Sequence, residues 1–450
     1  MYRIKFLAGV SGLLLLGGCS FLGFGDQAPQ RTGLAVGDEP IAVQAAGAVL
    51  AGGGNAADAA TAMYFAMSVT YPVAAGIGGG GICLIHDPSQ NRDEEIDFLP
   101  RDTAKGGAYA VPGSISGFSL LQSTYGRLPW QRDVSTAEGL ASAGFPISHA
   151  LEVRLADNKD VIRLDAGLAA EFLDESGNVK PEGSVVSNPG LAQSLAAVRI
   201  LGPSGFYRGA LADRLIAYST AESGAISDSD LRAYAAGRGT AMVLKIGGQI
   251  ALLPSRRVGA GAFLSSMLVH LVDQQGAVIA GSNLGSSVAA ATKSALDEFH
   301  LAQLPRDFGA TGFAASDPDG QVVTCAVTMN GPFGSGHTAA GTGITLARAP
   351  SSSKNAGLAA AFLAPAITLN GTALQFAGAG AGGPNGTAAI VFDLLRMSQG
   401  TELERPQQFH STGLEPYETV NIIACSGDVC AAIPDPAAHG LGSAGGSGTD

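Results

Sequence analysis

The sequence has little charge and lacks the short motifs that bind metals. Charged residues make up 14% of its 450 positions and hydrophobic residues 46%, which excludes an intrinsically disordered chain. A net charge of −12, with no basic run of five or more, disfavours nucleic-acid binding. The seven histidines are scattered, and neither Cys-x-x-Cys nor His-x-x-Glu-His occurs. We therefore expect no metal site and no cofactor.

The N-terminus carries a short apolar run that is typical of an export signal. Residues 6–17 are too few to span a bilayer, and they follow two basic residues. The run ends in Leu-Gly-Gly-Cys19, which is similar to the bacterial lipobox, whose cysteine is lipidated. An aspartate directly after the lipobox cysteine would favour retention in the inner membrane, but this position is Ser20. We expect a signal peptide over 1–18 and a lipid anchor at Cys19, and hence a cell-envelope protein on the outer membrane facing the periplasm. An ordinary cleaved signal is the alternative.

The other four cysteines fall into two kinds. Cys425 and Cys430 flank a four-residue turn between apolar runs, so we expect a hairpin disulfide in an oxidising envelope. Cys83 and Cys325 lie inside apolar runs and are expected to be buried thiols.

Further along the chain, the patterns predict a layered α+β fold. Residues 19–37 are rich in glycine and proline and are expected to be a tether. Asp38-Glu39-Pro40 predicts a helix start, and Asn55 predicts the cap of a second helix. Asp317-Pro318-Asp319-Gly320 predicts a turn between two strands. Helices, a hairpin, more helices and then several antiparallel strands argue against a parallel doubly wound sheet.

Several ordered stretches resemble the gamma-glutamyltranspeptidase family over nearly all of residues 38–440. They are AGGGNAADAATA, YPVAAGIGGGGICLIHD, AVPGSISGF, GPSGFYRGALADRLI, DPDGQVVTCAVTMNGPFGSG and GAGAGGPNG. The resemblance implies an N-terminal-nucleophile αββα sandwich, with two stacked antiparallel sheets between helical layers. It also implies a precursor that cleaves itself before a threonine, which then attacks gamma-glutamyl amides of glutathione-like compounds. The large-subunit-like region would be 38–309 and the small-subunit-like region 310–450, interwoven in one globular domain.

The family's nucleophile position is occupied by a residue without a hydroxyl group. In the family this strand begins Thr-Thr-His-aromatic-Ser and runs into an Asp-x-Asp-Gly turn. Counting back from Asp317 without a gap puts Ala310 at the first threonine and Gly312 at the histidine. A methyl group cannot attack a carbonyl, so the resemblance implies loss of both self-cleavage and turnover.

Thr311 is the alternative nucleophile, after cleavage between Ala310 and Thr311. A slip of one residue along a strand turns a side chain to the opposite face, so Thr311 needs a bulge to reach the pocket. An active amidohydrolase or acyltransferase of the N-terminal-nucleophile type therefore remains the rival hypothesis.

Other family positions are partly retained. The resemblance gives Thr328 a role in cleavage, Asn330 and Arg101 roles in substrate binding, and the Gly382-Gly383 amides the role of oxyanion hole. The family's acidic partner of the substrate ammonium is missing from the stretch Ala349-Pro350-Ser351-Ser352. We therefore expect a degenerate lipoprotein with, at most, a gamma-glutamyl or other small amino-acid-like ligand. A purely structural envelope protein is a third hypothesis.

Overall fold

A computed structural model of the chain describes residues 32–280, 283–401, 403, 417–427 and 429–445. The predicted signal peptide and Cys19 lie outside these residues. None of the helices in the described ranges combines the length and apolar character needed to cross a bilayer.

Helices occupy most of the first two thirds of the described chain. The α-helices are α1 (Pro40–Ala51), α2 (Ala56–Thr70), α3 (Ser114–Tyr125), α4 (Trp130–Ala143), α5 (His149–Asp157), α6 (Lys159–Leu164), α7 (Ala166–Phe172), α8 (Pro189–Leu201), α9 (Ser204–Tyr207), α10 (Gly209–Ala221), α11 (Asp228–Ala233), α12 (Gly261–Leu268), α13 (Leu284–Glu298) and α14 (Pro384–Ser398). Short 3₁₀-helices cover Pro350–Ser352 and Ala356–Phe362.

Within the described residues, the strands form two large antiparallel sheets and two short ribbons. They are β1 (Gly33–Gly37), β2 (Gly80–Asp87), β3 (Arg92–Asp97), β4 (Phe145–Pro146), β5 (Val185–Val186), β6 (Gly237–Thr240), β7 (Met242–Ile246), β8 (Gln249–Leu253), β9 (Ala310–Ser316), β10 (Val322–Thr328), β11 (Thr338–Ala339), β12 (Ile344–Thr345), β13 (Ala364–Asn370), β14 (Ala373–Ala381), β15 (Thr419–Ser426), β16 (Val429–Ile433) and β17 (Leu441–Gly445). Sheet 1 has the order β17-β1-β9-β10-β2-β3-β6, and sheet 2 the order β16-β15-β14-β13-β8-β7. The pairs β4-β5 and β11-β12 stand apart.

The two large sheets stack face to face between helical layers, as the resemblance implies. Leu84 and Val322 of sheet 1 share an apolar cluster with Leu252, Ile367 and Ile423 of sheet 2. On its other face sheet 1 packs against the alanine-rich helices α1 and α2, and sheet 2 packs against α12, α13 and α14. The predicted αββα sandwich is confirmed.

Local signals in the sequence placed several element ends correctly. The Glu39 side chain accepts a hydrogen bond from Ala42 N at the start of α1, and Pro40 is the first helical residue. Asn55 and Asp58 form a reciprocal capping box at the start of α2. The Asp317 turn joins β9 to β10, and Gly320 N donates to Asp317 O across 3.2 Å.

The structure corrects two expectations and confirms a third. Residues 33–37 of the expected tether form β1, which is buried between β17 and β9. Cys83 and Cys325 are not thiols: they lie opposite each other on β2 and β10 and form a disulfide. The Cys425–Cys430 hairpin disulfide is present as predicted.

Candidate active site

The residue that opens β9 faces the second sheet. Ala310 pairs with Thr328 and Thr311 with Val327, with no register shift along the β9–β10 ladder. Because side chains alternate along a strand, Ala310 shares its face with Gly312, where an added Cβ would lie 2.6 Å from Ala379 O of β14. The methyl group of Ala310 is buried in an apolar cluster that also contains Phe308.

The carbonyl group just before Ala310 is held by two donors. Gly309 O accepts hydrogen bonds from Met329 N at 2.8 Å and from Thr328 Oγ1 at 3.0 Å, and the same hydroxyl lies 3.2 Å from Phe308 O, so its one proton is shared between the two carbonyl groups. Gly309 has φ +55°, and a Cβ there would lie 1.9 Å from Gly331 O, so only glycine fits. Two donors on one carbonyl oxygen favour the negative charge that develops when a nucleophile attacks its carbon. The Gly309–Ala310 peptide is therefore polarised, although Ala310 offers no attacking atom.

An ion pair between the buried Arg154 and the partly buried Asp307 anchors the segment that leads to this peptide. Asp307 accepts hydrogen bonds from Arg154 Nη2 at both carboxylate oxygens, each at 2.8 Å, and from Gly309 N at 2.8 Å. The Arg154 guanidinium is fully buried and lies 3.6 Å from the centre of the Tyr417 ring. These contacts fix the backbone on both sides of Phe308.

Thr311 points to the other face of sheet 1 and belongs to a separate polar cluster. Its hydroxyl donates to Asp38 Oδ2 at 2.5 Å, and Asn421 Nδ2 donates to Asp38 Oδ1 at 2.6 Å. Burial raises the pKa of Asp38 to about 7, against the opposing effect of these two hydrogen bonds. Without a bulge in β9, the Thr311 hydroxyl is turned away from the Thr328 side of the sheet.

Gly382 and Gly383 lie between β14 and α14, where the helix N-terminus favours negative charge. Their φ angles are +86° and +122°. A Cβ on Gly382 would come within 2.1 Å of Tyr417 O, and one on Gly383 within 2.8 Å of the Phe308 ring. The Phe308 ring therefore lies directly against Gly383, on the candidate oxyanion hole.

A small cavity lies beside this segment. It measures about 50 Å³, and Asp307, Phe308, Asn330 and Arg348 are among the residues that line it. Asn330 Nδ2 donates to Arg348 O at 2.9 Å. Pockets for organic ligands usually measure about 300–1,000 Å³, so this cavity has no room for a glutathione-sized molecule.

Arg101 is not among the residues that line this cavity. Its guanidinium is 3.7 Å from Asp97 Oδ2 and 4.8 Å from the centre of the Tyr234 ring, and its side chain is 46% exposed. The structure thus brings Thr328, Asn330 and Gly383 close to the Ala310 junction but leaves Arg101 in another environment. Arg348 is the guanidinium that lines the cavity, and no motif in the sequence pointed to it.

Two facing antiparallel sheets between helices, with a glycine pair beside the head of a buried strand, define the N-terminal-nucleophile class of fold. The chain superposes on cephalosporin acylase from Bacillus halodurans with a TM-score of 0.70, at 17% identity, over 92% of this chain and 96% of that one. Against gamma-glutamyltranspeptidase of Helicobacter pylori the TM-score is 0.52, at 24% identity, over 59% of this chain and 82% of that one.

The chain belongs to the gamma-glutamyltranspeptidase family, whose sequence model matches residues 42–276, more than half of its length. It is 30% identical to glutathione hydrolase 3 of Arabidopsis thaliana over 225 residues, which are 46% of this chain and 35% of that protein. It is 31% identical to the glutathione hydrolase proenzyme of Escherichia coli (strain K12) over 228 residues, which are 46% of this chain and 39% of that protein. The matched region therefore spans little more than a third of these relatives' length.

Proposed function

We propose that this chain is a non-catalytic member of its family that stays one uncut polypeptide. The observation that carries the proposal is the methyl group of Ala310 at the head of β9, next to a carbonyl that Thr328 and Met329 polarise. The Gly309 carbonyl group that a nucleophile would attack therefore has hydrogen-bond donors, whereas residue 310 has no hydroxyl group to attack it. An amide substrate would meet the same deficit, because acyl transfer needs the same nucleophile.

The rival hypothesis, in which Thr311 acts as nucleophile, has little support from the geometry. The Thr311 side chain is fully buried and its hydroxyl donates to Asp38. To act on the Gly383 side of sheet 1 it would have to lose this hydrogen bond and reverse the local register of β9.

The space in front of Gly383 supports a role other than turnover. The Phe308 ring fills the space next to Gly383. The ion pair between Asp307 and Arg154 holds the segment that carries Phe308 in place. The remaining 50 Å³ cavity is lined by the Arg348 guanidinium, by the amides of Asn330 and Asn355, and by the Asp307 carboxylate, which Arg154 already pairs. A small amino-acid-like ligand with a carboxylate, including a gamma-glutamyl group, is the second candidate, and it would bind only if Phe308 moved.

The proposed setting is the bacterial envelope. The Leu-Gly-Gly-Cys19 stretch supports a lipid anchor, and the serine after it supports the outer membrane, with the folded body in the periplasm. The Cys83–Cys325 and Cys425–Cys430 disulfides are compatible with an oxidising compartment.

Release of the chromophore from a gamma-glutamyl anilide tests the lack of turnover. We expect the purified chain to release none above the uncatalysed rate, while an active relative releases it in the same assay. Turnover by this chain that Thr311→Val abolished would favour the rival nucleophile and contradict the proposal.

For the second candidate, calorimetry with L-glutamate should detect binding that Arg348→Ala weakens at least tenfold. Equal affinity in both proteins would remove that candidate.

A further inference from the structure

Three metal-binding side chains meet on the surface at the start of α5. His149 is the first residue of this helix, Glu152 follows one turn later, and Glu182 lies just before β5. His149 Nδ1 lies 3.5 Å from Glu152 Oε2 and 3.2 Å from Glu182 Oε2. One ligand atom from each of the three residues lies within 4.8 Å of the other two.

The two separations from His149 Nδ1 fit tetrahedral coordination. Zinc binds imidazole nitrogen and carboxylate oxygen at about 2.0–2.2 Å, which places tetrahedral ligands roughly 3.3–3.6 Å apart. Both distances from His149 Nδ1 agree with that spacing to about 0.1 Å. One imidazole and two carboxylates form a mixed nitrogen and oxygen donor set, which suits zinc and related transition metals better than calcium or magnesium.

Neighbouring groups orient two of the three side chains. Glu182 N donates to Glu152 Oε1 at 3.1 Å, so that carboxylate keeps Oε2 towards His149. The His439 ring packs edge-on against the His149 ring, with their centres 4.3 Å apart. His439 comes from the segment just before β17, so residues from three distant parts of the chain fix this arrangement.

We propose that His149, Glu152 and Glu182 bind a divalent transition-metal ion of the zinc type. The ion would join α5 to the segment before β5, and its fourth position would face solvent, because His149 and Glu182 are about half exposed. Two carboxylates beside one imidazole favour a dication electrostatically. Sequence patterns miss this site because Glu182 lies outside the His-x-x-Glu turn. The proposal is independent of the proposed function.

Calorimetric titration of the tag-free mature chain with Zn²⁺ tests the site. We expect one ion per chain, no comparable heat with Ca²⁺, and an affinity at least tenfold lower in both His149→Ala and Glu182→Gln. His270→Ala is the matched control, because His270 is also exposed but lies outside this cluster, and it should keep the wild-type affinity. All four proteins should show the same far-ultraviolet circular dichroism.

Two results would overturn the metal site. One is the absence of stoichiometric Zn²⁺ binding by the wild-type chain, which would leave a His149–carboxylate ion pair and no more. The other is Zn²⁺ binding that His149→Ala and Glu182→Gln leave unchanged, which would put the ion elsewhere.

Discussion

At the scale of single residues, the junction before β9 places a carbonyl group that accepts hydrogen bonds next to a side chain without a hydroxyl group. Thr328 and Met329 still donate to Gly309 O, and Gly309 still has the backbone conformation that only glycine tolerates easily. What is absent is one hydroxyl group, at Ala310. Under the proposed non-catalytic role, a single substitution that adds a hydroxyl group at residue 310 should permit self-cleavage.

Ala310→Thr should permit self-cleavage of the peptide bond between residues 309 and 310 in a measurable fraction of the chain over hours. The new hydroxyl would start next to a carbonyl whose oxygen already has two donors. The two extra heavy atoms enter a packed cluster and should cost about 1–3 kcal/mol of stability. Denaturing electrophoresis and N-terminal sequencing of the new fragment measure the result.

Ala310→Val is the matched control, because valine has the shape of threonine without the hydroxyl. It should stay uncut and lose a similar amount of stability. Cleavage in the valine variant, or none in a folded threonine variant, would show that the donors on Gly309 O do not prepare this bond for attack.

Thr311→Val should lower the free energy of unfolding by about 1–3 kcal/mol without changing processing. It leaves the buried Asp38 carboxyl without one of its donors, and such a loss costs about that much. Thr311→Ser keeps a hydroxyl and should recover most of the difference in urea unfolding. Equal stability of all three proteins would contradict a structural role for this hydrogen bond.

At the scale of secondary-structure elements, α4 carries a buried aspartate, Asp133, whose carboxyl group has no hydrogen-bond donor among the described residues. Burial, and then the charge of Asp58, raises the pKa of Asp133 to about 8. An unfolded aspartate titrates near pH 4, so folding takes up a proton between about pH 4 and pH 8, and this contribution to stability falls as the pH rises through that range.

Asp133→Asn should remove this pH dependence. Relative to wild type, the variant should gain about 1–3 kcal/mol at pH 8 and little or nothing at pH 4. Urea unfolding of both proteins at pH 5, 6.5 and 8 measures the difference between their free energies of unfolding. The other titrating groups contribute equally to both proteins and drop out of this difference. A difference that stays constant over this range would mean that Asp133 is ionised in the folded state.

Elements with strong local signals could be predicted, and those defined by remote partners could not. The cap at Asn55, the start at Pro40 and the Asp317 turn all depend on neighbouring residues. β1 was missed because its five residues, Gly-Leu-Ala-Val-Gly, continue a glycine-rich stretch and become a strand by pairing with β9 and β17. At the candidate site, the family resemblance pointed to Ala310 and Thr328. Asp307 and Arg348 could not be predicted, because their roles depend on three-dimensional contacts.

At the scale of the whole molecule, the parts before and after residue 309 are interleaved. In sheet 1, β9 and β10 lie between β1 and β2, so the later region completes a sheet that the earlier region begins. The Cys83–Cys325 disulfide joins the same two regions across 242 positions. An intact chain and a cut one would therefore hold the same fold.

Replacing Cys83 and Cys325 together by valine should lower the free energy of unfolding by about 2–4 kcal/mol, because the bridge closes a long loop in the unfolded chain. The pair Cys425 and Cys430 is the control, since its loop spans five positions and its removal should cost less. Denaturant unfolding measures both losses. Equal losses, or a Cys83 thiol that reacts in the denatured unreduced chain, would contradict the first bridge.

Reducing electrophoresis of the mature wild-type protein, with N-terminal sequencing of every band, tests the central claim most directly. Reduction is essential because the Cys83–Cys325 bridge would hold two fragments together. The expected result is a single full-length band, with no sequence that begins at Ala310 or Thr311. Two bands, one of them beginning at Ala310 or Thr311, would contradict it.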